Sequence, residues 1–68
     1  MMTPEEEARA VDEVARRLAI RFPQISSDTV SRTVKDAHAE LANSRIRDFV
    51  PLFVERNARD HLRGAGFR

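Results

Sequence analysis

The chain has 68 residues, one domain or less, and a domain this small folds with a thin energy margin. It has no cysteine, which excludes a disulfide staple, a thiolate nucleophile and a Cys-ligated zinc. Twelve basic and eleven acidic residues leave a net charge of +1, too balanced to point to nucleic acid or membrane by charge alone.

The apolar fraction of 41% and charged fraction of 34% fit a soluble helical domain and not a disordered tail. No apolar run is long enough to span a bilayer. Met1-Met2 leads straight into Thr3-Pro4-Glu5-Glu6-Glu7, with neither a basic nor an apolar leader region, so no signal peptide and a cytoplasmic location are expected.

The first periodic segment predicts a helix over about 4–21. Thr3 suits the N-cap, Pro4 the first helical position, and Glu6 completes a capping box. Glu5, Glu6 and Glu7 read as a solvated first turn at the positive end of the helix dipole. Ala8, Val11, Val14, Ala15, Leu18 and Phe22 mark the apolar face. Phe22 precedes Pro23, which ends the helix near Arg21.

The second helix is expected over about 27–42. Ser26 is its N-cap, with Ile25 and Val30 placed as a hydrophobic staple. Val30, Val34, Ala37 and Leu41 form a narrow stripe, and the short turn Ala42-Asn43-Ser44 makes helices 2 and 3 antiparallel neighbours.

The third helix is expected over about 45–63, kinked at Pro51 or starting near it. Ile46, Val50, Phe53 or Val54, Ala58 and Leu62 keep the apolar period unbroken, which favours the early start and the kink. Gly64 reads as the residue closing the helix, with 64–68 as a flexible tail. The fold class is therefore all-α, a single three-helix bundle over residues 1–63.

Residues 49–54 read Phe-Val-Pro-Leu-Phe-Val. Six consecutive apolar positions encircle a helix, and only one side can face helices 1 and 2. The side carrying Phe49 or Leu52 has no partner within three helices. Three readings compete: ordinary core with Pro51 turning the chain, a hetero-partner, and a second copy. Self-association is preferred, because most soluble oligomers are symmetric homo-oligomers.

No chemistry stands out elsewhere. His38 and His61 read as structural, the serines as caps and polar positions, and no metal-ligand spacing or phosphate loop is visible. No cofactor and no enzymatic activity are expected. By segment, residues 1–22 and 23–44 each carry −1, and 45–68 carries +3. The arginine-rich third helix leaves a small DNA-binding regulator as the alternative. A recognition helix would present basic residues from its first turns, where this chain has Phe49, Val50, Pro51, Leu52 and Phe53, so nucleic acid is disfavoured.

The sequence resembles a known family at these points: Arg17-Leu18, Arg21-Phe22-Pro23, Val30 with Val34 and Ala37, and above all Arg45-Ile46-Arg47-Asp48-Phe49-Val50-Pro51 followed by Val54-Glu55-Arg56 and Ala58-Arg59. It looks like an actinobacterial three-helix-bundle dimerisation domain. That domain occurs alone or in front of arsenate-reductase-like proteins of the low-molecular-weight tyrosine phosphatase fold. The resemblance covers about residues 8–63. It implies a homodimer, a phosphatase-like protein partner, and no catalysis in a chain without cysteine. It also implies an interface at Phe49, Leu52, Phe53 and Arg56, with Asp48 pairing with an arginine or capping the helix. Phe53 stands where a smaller aliphatic residue is expected, so packing detail differs from the family pattern there.

Overall fold

The computed structural model describes residues 3–66, and among these all regular structure is helical. Three helices occur in chain order: α1 (Pro4–Arg21), α2 (Ser27–Glu40) and α3 (Val50–Gly66). The expected three-helix architecture is the one observed.

The first two helices begin where their caps place them. At α1, the Glu6 backbone N–H donates to the Thr3 hydroxyl at 3.1 Å, and the Thr3 N–H donates to Glu6 Oε1 at 3.0 Å. Two of the end's unpartnered donors are thus satisfied reciprocally. Phe22 closes the helix, its N–H reaching the Leu18 carbonyl at 2.9 Å. At α2, the Ser26 hydroxyl accepts from the Thr29 N–H at 3.2 Å. The helix ends at Glu40, two residues short of expectation, because Leu41 turns back to the His38 carbonyl at 3.1 Å.

The third helix settles one alternative and departs from expectation at its far end. It starts at Val50, near Pro51 and not at the favoured Arg45, so Pro51 occupies its first turn and no kink is needed. Proline is tolerated there because its missing N–H would have no intrahelical acceptor. The expected end at Gly64 is also overturned. Gly64 stays helical, without a positive φ, and the helix runs to Gly66. The rest of the expected tail, Phe67 and Arg68, lies outside the described residues.

The helices run up, down, up. Glu7 near the start of α1 meets His38 near the end of α2, so these two are antiparallel. Arg47, just before α3, meets Glu7 near the start of α1, and Glu55 within α3 meets Arg17 farther along α1, so those two helices are parallel. All three helices pack against one another. Their shared core is Val11, Val14, Leu18 and Phe22 from α1, Val30, Val34 and Ala37 from α2, and Val50, Val54, Ala58 and Leu62 from α3. The α3 contribution steps by four throughout, and each of its members is fully buried.

Two core assignments change. Ala8 is exposed, and Glu7 takes its place on the inner face of α1. Ile46 is 65% exposed, because it precedes the helix and does not extend its apolar row.

Candidate interaction surface on the third helix

A helix turns by about 100° per residue, so each α3 side chain has a fixed direction once the core row is known. The core row of 50, 54, 58 and 62 occupies one side. Positions 49, 52, 53 and 56, spaced i, i+3, i+4, i+7, centre on the opposite side. They hold Phe49, Leu52, Phe53 and Arg56, all of them exposed. Phe49 is 57% exposed, Leu52 59% and Phe53 43%. The ambiguity between Phe53 and Val54 is resolved: Val54 is core, and Phe53 belongs to the outer face.

Single exposed apolar side chains are ordinary, whereas two phenylalanines and a leucine side by side form one patch of the kind that is often functional. The core beneath it is complete without them. At about 200 Å² for each whole side chain, their exposed parts sum to roughly 300 Å² per chain. Farther along the same face the stripe becomes charged, through Arg56, Asp60 and Arg63.

Beside the stripe lies an open groove of about 330 Å³ between α1 and α3, lined by Ala10, Glu13, Val14, Arg17, Pro51 and Leu52 among others. Arg17 crosses it to Glu55 at 3.0 Å in place of the neighbouring-turn partner Glu13, and Glu13 is met by Arg16 at 3.7 Å. A second open groove, of about 350 Å³, separates α2 and α3, with Thr33, Asp36, Ala37, Glu40, Asn57 and His61 on its walls. Among the described residues no group of three or more His, Asp or Glu side chains is arranged to hold a metal ion.

The side chains that position α3 were not found by sequence reasoning. Glu7, only 8% exposed, stands at the end of the bundle where all three helices meet. Arg47 Nε donates to Glu7 Oε1 at 3.0 Å and Arg47 Nη2 to Glu7 Oε2 at 2.6 Å, a bidentate pair. His38 Nε2 lies 2.7 Å from the same Oε2. Arg47 Nη1 donates to the carbonyls of Leu41 at 2.7 Å, Ala42 at 3.2 Å and Ser44 at 3.2 Å. One guanidinium thus ties α1 to three carbonyls of the turn that follows α2. It holds the Glu7 carboxyl below the usual carboxylate range, with His38 adding to the effect. One signal was available: Glu7, Val11, Val14 and Leu18 follow i, i+4, i+7, i+11, which puts Glu7 on the core face.

A family model matches residues 4–66 and is described as a protein of unknown function (DUF3562). The chain belongs to the DUF3562 family. The matched span runs from the first residue of α1 to the last of α3, so this bundle is the DUF3562 unit. The match contains the outer stripe of α3 and the Glu7–His38–Arg47 cluster alike. No curated protein and no solved structure matches the chain. No helix among the described residues is long and apolar enough to cross a membrane.

Proposed function

We infer that this DUF3562 domain is a non-catalytic dimerisation module that self-associates through the outer face of α3. The observation that carries the reading is the stripe Phe49-Leu52-Phe53, exposed opposite a core that is already closed. Water contact with these side chains is unfavourable, and a second copy offers an identical apolar surface to cover them. Aromatic anchors next to an arginine also fit the composition of interface centres.

The resemblance of residues 45–59 to the actinobacterial dimerisation domain supports the same face. It adds a role as a cytoplasmic adaptor that docks a phosphatase-like or arsenate-reductase-like protein. Any reductase or phosphatase chemistry would then reside on that partner. A DNA-binding role is the weaker reading. The first turns of α3 offer Phe49, Leu52 and Phe53 to a groove, and Arg47 is committed to Glu7.

The test is light-scattering mass over a hundredfold concentration range, with helicity followed on the same samples. The expected result is a mass approaching twice 7.8 kDa as concentration rises. Leu52→Asp and Phe49→Asp should give a monomer of unchanged helicity, since neither side chain belongs to the core. A wild-type monomer at every concentration refutes self-association. Variants that dimerise like wild type refute the assigned face.

A further inference from the structure

We propose that two copies pair through α3 in antiparallel fashion, with the two-fold axis passing between Leu52 and Phe53. This rests on the self-association reading and adds its geometry.

The charge order along the stripe decides the direction. From its N-terminal end the outer face reads Phe49, Leu52, Phe53, Arg56, Asp60, Arg63. A parallel pair in register covers the apolar positions, but it also sets Arg56 against Arg56, Asp60 against Asp60 and Arg63 against Arg63. Like charges across a helix seam are destabilising, and the two macrodipoles lie side by side with the same sense. An antiparallel pair centred between 52 and 53 covers the same apolar positions by placing Leu52 against Phe53 of the second copy. Arg56 then meets the ring of Phe49, a cation–π geometry in place of a repulsion.

Area points the same way. The stripe alone supplies roughly 300 Å² per chain, against about 800 Å² per partner in a standard interface. In the antiparallel arrangement the C-terminal half of α3 projects past the start of the other α3. There it covers the end of the bundle that carries exposed Arg45 and Ile46. A parallel pair leaves Ile46 exposed and confines contact to the helix seam.

The chain has no cysteine, so one engineered thiol reports one position. Arg63→Cys lies on the exposed face, beyond the proposed apolar contact, and carries a nitroxide for pulsed dipolar distance measurement. Residue 63 lies between ten and eleven positions from the axis. At about 1.5 Å per residue and about 9 Å between helix axes, the two labelled backbones should be ~33 Å apart. A parallel pair would put them ~9 Å apart. A dimeric mass with a distance distribution centred near the longer value supports the proposal. A dimeric mass with the short distance overturns the antiparallel pairing and leaves self-association standing. A dimeric mass with a distance well beyond both values removes α3 from the seam. A monomeric mass without intermolecular coupling overturns the self-association reading itself.

Discussion

At the scale of single residues, Glu7 and Arg47 do more for this fold than any exposed pair. A buried carboxylate is costly unless charge and hydrogen bonds compensate it, and here a bidentate guanidinium and an imidazole do so. Glu7→Gln removes the charge and replaces one of the two accepting oxygens with an NH2 donor that faces Arg47, so it should cost about 1–3 kcal/mol in urea unfolding. The pH dependence follows from the same contacts. The folded Glu7 carboxyl titrates below its ordinary value near 4.5, chiefly through the Arg47 hydrogen bonds and then through His38. The unfolded chain therefore binds a proton first as pH falls. Stability from this group is complete above the ordinary value and is lost as pH drops from there through the lowered one. Glu6, at an exposed position, is also held below its ordinary value, first by the Thr3 N–H. Unfolding measured between pH 6 and 3 should thus show a smaller acid loss in Glu7→Gln than in wild type. An unchanged slope would mean that Glu7 is not the principal acid-sensitive group. Half of this cluster was readable in the sequence, since the spacing of Glu7 to Val11 puts it inside. Its charge argued for the surface, and its partner, forty positions away, carries no local signal.

At the scale of elements, α1 and α2 were legible because their ends are written in local chemistry: Thr3 with Glu6, Ser26, and Phe22 before Pro23. The start of α3 was not. Ile46, Val50, Val54, Ala58 and Leu62 form a faultless row at intervals of four, and periodicity cannot reveal that its first member lies outside the helix. The segment before α3 is instead held by tertiary contacts, with Arg47 donating to the carbonyls of Leu41, Ala42 and Ser44 and to Glu7. Two substitutions check the observed bounds. In the first turn Pro51 costs no hydrogen bond and restricts the unfolded chain. Pro51→Ala should therefore lower stability by no more than about 1 kcal/mol. An interior kink at 51 would instead make the same change stabilising. Gly64 is helical, and a Cβ built there meets nothing within 4 Å. Gly64→Ala should therefore add about 0.5–1 kcal/mol in thermal unfolding, where a helix-closing glycine of positive φ would make it destabilising.

At the scale of the whole molecule, α3 carries two apolar rows with separate tasks, and sequence periodicity alone could not sort them. Six consecutive apolar residues offer every direction around the helix. Only the positions of α1 and α2 decide that Val50 and Val54 face inward while Phe49, Leu52 and Phe53 face out. The sequence-level expectation that some of these side chains lack an internal partner holds: Phe49, Leu52 and Phe53 are all exposed. A closed core also changes how folding and association relate. A domain of this size has about 3–10 kcal/mol of stability in total. Leu62 is fully buried, and Leu62→Ala should remove about 2–5 kcal/mol of it, lowering the melting temperature at every protein concentration. Leu52→Asp touches only the outer row. It should leave the melting temperature of the dilute protein nearly unchanged and abolish its rise with concentration, because mass action stabilises the folded chain only while a dimer forms. Melting both variants and the wild type across the same hundredfold range separates the rows. If Leu52→Asp unfolds the dilute chain as Leu62→Ala does, the outer row is part of what makes the monomer fold, and the division of α3 into an inner and an outer face fails.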